Sequence, residues 1–99
     1  MRTYREFVRQ TVQDPQEATA YLNASLEEYE HDGNVEAFLL ALRTVVDAQG
    51  GMTELARKTA LNRQSLYKTL SGQGNPRLQT LHVILHALGF KLSIEPIAS

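Results

Sequence analysis

Residues Met52–Ser71, MTELARKTALNRQSLYKTLS, decide how the surrounding chain must be arranged. The stretch predicts two short helices, about Thr53–Thr59 and Arg63–Ser71, on either side of a three-residue turn, Ala60-Leu61-Asn62. Thr53 and Asn62 are residue types that cap a helix start, because a side-chain oxygen accepts an orphan backbone N–H. Leu55, Ala56, Leu61, Leu66 and Leu70 recur at a spacing that turns one apolar face of each helix toward the other and toward the body of the domain. The small side chain of Ala56 lets the second helix cross the first closely at a steep angle. Such a unit has the layout of a helix-turn-helix, whose second helix can be presented to a DNA groove.

The flanking sequence supplies support for this unit. Tyr4, Phe7, Val8 and Val12 lie at helical spacing within residues 4–13, opposite Arg5, Arg9 and Gln13. Asp14-Pro15 then caps and opens a second helix, about residues 15–30, with Ala18, Tyr21, Leu22, Leu26 and Tyr29 on one face. Its end is crowded by Glu27, Glu28, Glu30 and Asp32, acids that oppose the helix dipole. This is either a solvated, frayed end or an acidic patch for a basic partner. Gly33 suits a left-handed helix stop, and Asn34 can cap the next helix, residues 35–48. That helix is apolar almost all round, as expected of a central helix packed on more than one side. Gln49-Gly50-Gly51 breaks it. After Ser71, the run GQGNP (72–76) is a loop whose bare N–H groups suit either a phosphate or a plain connecting turn. A helix follows at about 77–88, with Leu78, Leu81, Ile84, Leu85 and Leu88 on one face and Gly89 as its stop.

Phe90–Glu95, FKLSIE, alternates apolar and polar residues and predicts a short strand ended by Pro96. A lone strand leaves backbone groups unpaired. Pairing with the same strand of a second copy about a two-fold axis would satisfy them, which predicts a homodimer through Phe90–Glu95. The alternative is an extended tail lying on the helices. The expected organisation is an N-terminal helical arm (1–33), a helix-turn-helix domain (34–89) and a C-terminal strand and tail (90–99), forming one compact domain.

Composition narrows the function. Ninety-nine residues, 42% hydrophobic and 21% charged, suit one globular domain that buries about two thirds of its unfolded surface. The absence of cysteine excludes disulfides and thiolate metal sites. No apolar run reaches the length of a membrane span, so a cytoplasmic location is expected. The net charge of −1 conceals an asymmetry. Residues 1–49 carry Arg2, Arg5, Arg9 and Arg43 against nine acids, whereas residues 50–81 carry Arg57, Lys58, Arg63, Lys68 and Arg77 against Glu54 alone. The basic charge is concentrated on and just after the two-helix unit, where a nucleic-acid face would need it. A solvated surface with chance clustering would look the same on charge alone.

Catalytic and metal chemistry find little support. His82 and His86 are four apart on a helix, but a zinc site needs a third ligand and none has matching spacing. His31-Asp32 sits in a helix-ending turn with no nucleophile nearby. Gly50-Gly51 and Gly72-Gln73-Gly74 lack the Lys-Ser/Thr of a phosphate-binding loop. No enzyme and no cofactor are expected. The contact surface is better defined. With Leu66 and Leu70 buried, Gln64, Lys68 and Ser71 point outward, and Ser65 and Tyr67 lie on the flanks. Gln64 suits an adenine edge, Lys68 a guanine acceptor or a phosphate, and Arg63 the place where groove floor and backbone meet. The Tyr67 hydroxyl and the helix start at Thr53 suit phosphates, Arg57 falls on the outer side of the first helix, and Arg77 adds charge beyond the loop. The expected DNA-binding set is therefore Thr53, Arg57, Arg63, Gln64, Ser65, Tyr67, Lys68 and Arg77.

These residues stand in a recognisable setting. LARKTALNRQSLYKTLS, followed by GNPRLQTLHVILHALGFKLSIEP, resembles helix-turn-helix proteins of the phage-repressor, Cro-like type. More narrowly, the chain from about Asp14 to Pro96 resembles the addiction-module antidotes, antitoxins encoded beside a small RelE-like toxin. The telling pieces are ATAYLNASLEE at 18–28, FLLALRTVVDAQGGM at 38–52, LYKTLS, NP and ALGFKLSI. The resemblance implies an all-α, lambda-repressor-like bundle of about six helices. It implies a dimeric repressor of its own operon, with double-stranded operator DNA and a small basic toxin as partners and Arg63–Ser71 as recognition helix. A stand-alone phage- or plasmid-type regulator without a toxin is the alternative. The turn departs from the family pattern, which commonly has glycine where Ala60 stands.

Overall fold

Six helices follow one another in the computed structural model, which describes residues 3–98: α1 (Tyr4–Thr11), α2 (Pro15–Asp32), α3 (Glu36–Ala48), α4 (Gly51–Thr59), α5 (Arg63–Thr69) and α6 (Leu78–Ala87). Short polar side chains start several of them. The Thr3 hydroxyl accepts from the Glu6 N–H at 3.1 Å, and the Asp14 carboxylate from the Gln16 N–H at 3.3 Å, with Pro15 in the first turn. Between α2 and α3 the chain turns on two consecutive side-chain bonds. Asp32 Oδ1 accepts from the Asn34 N–H and Asn34 Oδ1 from the Glu36 N–H, both at 2.9 Å. Gly33, at φ 73°, ends α2 in the left-handed conformation. The acidic end of α2 is thus a closed helical turn and not a frayed one. Asn34, expected to cap α3, stands one residue before the cap position, which Val35 occupies at helical angles without a side-chain bond.

Helix α3 is the hub and packs against α1, α2 and α4; α4 in turn carries α5 and α6. The core runs through both halves of the chain. Val12, Ala18 and Leu22 from the first two helices join Phe38, Leu39, Leu42, Val45 and Val46 of α3, and these meet Leu55, Leu66, Leu70 and Ile84. Helix α3 buries most of its circumference, the physical counterpart of its nearly continuous apolar sequence.

Three expectations need correction. The first concerns Thr53. Helix α4 begins two residues earlier than predicted, at Gly51, because Gly50 and Gly51 both take positive φ (112° and 85°) and swing the chain directly from α3 into α4. Thr53 lies within the first turn and caps nothing. The second concerns α1. Only Val8 and Val12 of its apolar stripe meet the core, while Tyr4 and Phe7 are 82% and 59% exposed. The third is the strand. Among the described residues no strand forms, and Phe90–Glu95 is irregular backbone. The reason lies at the end of α6. Gly89 (φ 93°) donates to His86 C=O at 3.0 Å and Phe90 donates to Leu85 C=O at 2.8 Å, a helix-closing pair of the Schellman type. The Phe90 ring packs on the core as the apolar residue that follows such a stop. Phe90 therefore takes part in a helix cap. Beyond it Leu92 is half-exposed, while Ile94 and Ile97 are 98% and 95% exposed, with no strand edge among the described residues to pair with.

Candidate nucleic-acid interface

The turn that sets α5 on α4 is built from three local devices. Thr59 Oγ1 donates to Leu55 C=O at 2.8 Å and accepts from the Leu61 N–H at 3.2 Å, tying the end of α4 to the turn. Ala60 then takes φ 60°, the one non-glycine residue with positive φ among the described residues. Asn62 Oδ1 accepts from the N–H groups of Gln64 and Ser65 at 2.7 and 3.4 Å and caps α5. Leu66 and Leu70 anchor the helix in the core. Both sides of α5 are thereby fixed, its start by the cap and its underside by burial.

The opposite end of α5 is fixed by glycines. A Cβ on Gly74 would stand 2.5 Å from the Thr69 carbonyl oxygen, so the loop lies directly against the end of α5. Gly72, at φ 86°, is buried beneath Glu36 and Leu40 of α3. These contacts explain why α5 stops at Thr69, short of the predicted Ser71. Ser71 instead donates from its hydroxyl to Lys68 C=O and accepts from the Gln73 N–H.

Anchored in this way, α5 leaves Arg63, Gln64, Ser65, Tyr67 and Lys68 exposed to solvent across its outer face and flanks. The remaining predicted residues are more scattered. Thr53 and Arg57 are exposed on α4, and Arg77 is exposed immediately before α6. Arg57 is already engaged. Its guanidinium makes a two-pronged ion pair with Glu54, with the Nε–Oε2 bond at 3.1 Å. The hydrogen bond and charge of Arg57 hold the Glu54 carboxyl below the usual glutamate range, and Glu54 raises Arg57 further.

The charge count by sequence halves missed one neighbour of α5. Arg43 belongs to the acidic half of the chain, yet its guanidinium carbon lies 5.2 Å from the centre of the Tyr67 ring. Arg63 approaches the same ring at 5.8 Å. The phenol thus has two cations against it, within the reach of cation–π attraction. The clue in the sequence is the spacing of Leu40, Arg43, Thr44 and Asp47, the single stripe of α3 that is not wholly apolar. Elsewhere, the His82 and His86 rings stand 5.9 Å apart. Among the described residues no three His, Asp or Glu side chains gather as a metal site would require, and no helix is long and apolar enough to cross a membrane.

Comparison with known proteins identifies the chain's relatives. Residues 4–96 match the family model described as "Probable addiction module antidote protein". The chain belongs to this antidote family. An uncharacterised protein of Haemophilus influenzae is 35% identical over 80 residues, which span 81% of this chain and 77% of that protein. No solved structure matches. Membership in the antidote family agrees with the narrower of the two resemblances legible in the sequence and covers almost all of the described residues.

Proposed function

We propose that the chain is the antitoxin of a toxin–antitoxin module, a non-catalytic cytoplasmic protein that represses its own operon and neutralises a RelE-like toxin. The observation that carries the DNA half of this reading is the exposed face of α5. Five outward residues of the types that read bases or hold phosphates stand on a helix fixed by the Asn62 cap and the buried Leu66 and Leu70. In this reading α4 and α5 act as a helix-turn-helix of the repressor type. Gln64 and Lys68 read base edges, and Arg63 and Tyr67, side by side on one flank, hold the backbone. Thr53 and Arg77 reach flanking phosphates, Arg57 doing so when Glu54 releases it. Two copies side by side present two such helices to successive major grooves, about one helical turn apart. Leu92, Ile94 and Ile97, exposed beyond α6, supply apolar surface for that association without a β ladder.

The toxin half rests on family membership and on the distal end of α2. There Glu27, Glu28, Glu30 and Asp32 are exposed beside the half-exposed Leu26 and Tyr29. A partner that cleaves RNA needs a basic surface, which this acidic and partly apolar end complements. Co-expression with the product of the adjacent open reading frame tests it. Rescue of growth and a co-purifying complex are expected, and loss of both when Glu27, Glu28 and Glu30 are changed to Gln. Absence of both rescue and complex with the wild-type pair would refute the antitoxin assignment.

A further inference from the structure

Helices α1 and α3 enclose a cleft of about 430 Å³ on the side where Arg43 meets α5. Arg5 and Arg9 of α1 and Arg43 of α3 line it, together with the carboxylates Glu6 and Asp47. Glu6 and Asp47 offset part of that charge but make no ion pair with any of the three guanidinium groups, since the one ion pair among the described residues is Glu54–Arg57. Arg43 leans on the Tyr67 ring, which also faces Arg63. Arginines of α1 and α3 thus share one cleft, with Glu6 and Asp47 among them, and Arg43 connects that cleft to the face of α5. At about 30 Å³ per water, a cleft of this volume has room for a phosphate group with hydration waters. Arg5 and Arg9 stand four apart on one helix, where like charges repel.

We infer that the cleft between α1 and α3 is a second phosphate-binding element, through which Arg5, Arg9 and Arg43 grip the DNA backbone beside the segment read by α5. This inference rests on the DNA-binding reading given above. It assigns α1, which lies in the acidic half of the sequence, to the nucleic-acid face. Arg43 bridges the two contact zones: its stack on Tyr67 directs it toward the recognition helix, and its position in the cleft joins it to Arg5 and Arg9. These contacts reach phosphates only, so they add affinity without adding sequence preference.

The test is a salt titration of the full chain on two duplexes, one from its own upstream region and one scrambled to the same length. The proteins are the wild type, Arg5→Gln/Arg9→Gln/Arg43→Gln and the matching triple Lys variant. Each phosphate contact contributes about 0.9 to the slope of log affinity against log salt. The Gln variant should therefore lose about two to three from that slope and keep its preference for the upstream duplex. The Lys variant should retain most of the slope. Thermal melting should show the Gln variant about as stable as wild type, because relief of like-charge repulsion offsets loss of the Arg43 contact with Tyr67. An unchanged slope in the Gln variant overturns the inference and leaves DNA binding by α5 intact, as does a slope lost equally in the Lys variant. Absent or salt-insensitive binding by the wild type overturns the DNA-binding reading itself and this inference with it.

Discussion

Ala60 shows how one residue departs from its surroundings at a measurable cost. At φ 60° it holds a conformation in which a Cβ crowds the backbone, a penalty of about 1–2 kcal/mol that glycine avoids. Part of the gain from glycine is offset by the greater freedom of the unfolded chain. Ala60→Gly should therefore raise stability by about 1 kcal/mol and the melting temperature by about 4–8 °C; a lower melting temperature would contradict the left-handed assignment. Asn62 bears the opposite expectation. Asn62→Ala removes the acceptor of two N–H groups and should cost about 1 kcal/mol in denaturant unfolding. Glu54 gives a pH signature. Its carboxyl titrates below the unfolded value because Arg57 stabilises the charged form, so its contribution to stability is present above the ordinary glutamate range and is lost as pH falls through the depressed folded value. An NMR titration should find the Glu54 carboxyl lowered in the wild type and returned toward the ordinary range in Arg57→Gln. Asn62 was legible as a cap because its residue type and position agree. Thr53 was misjudged because Gly50-Gly51 can start a helix without any side-chain cap, an option that residue type alone does not reveal.

Among the elements, helix periodicity carried most of the fold. The spacing of Leu66 and Leu70, or of Phe38, Leu42 and Val45, has one satisfactory burial, and all five side chains are in the core. Alternation at Phe90–Glu95 was less informative, because a helix-closing turn also wants an apolar residue just after its glycine. Phe90 meets that need, and the residues that follow alternate without a partner edge. Phe90→Ala should accordingly destabilise the fold by about 2 kcal/mol, less than for a fully buried ring, with the loss seen in α6 amide protection. Gly74 is an element-level constraint that its sequence context does not reveal. It reads as part of a loop suited to a phosphate or to a plain turn, whereas the Thr69 carbonyl excludes a Cβ. Gly74→Ala should displace the end of α5 and cost about 1–3 kcal/mol, measured by urea unfolding. The exposed Tyr4 and Phe7 mark the limit of amphipathic pattern: it says which side of α1 is apolar, not whether another element covers it.

Across the whole molecule, charge is arranged by surface and not by sequence half. The distal end of α2 is acidic, the outward face of α5 is basic, and Arg43 crosses from one sequence half to the other surface. A count along the chain could not register that crossing, because it depends on α3 packing beside α5's support. The exposed Ile94 and Ile97 bear on assembly. Ile94→Asp/Ile97→Asp should shift the mass seen by light scattering from two copies toward one, and a wild type already of single-copy mass would rule out the paired arrangement. The central claim, that the outward face of α5 reads DNA, is tested most directly by fluorescence anisotropy on the upstream duplex with Gln64→Ala/Lys68→Ala. With each base contact contributing about 1–3 kcal/mol, the double variant should bind about a hundredfold more weakly while its circular dichroism and melting stay those of the wild type. A double variant that binds the upstream duplex as tightly and as selectively as the wild type would contradict it.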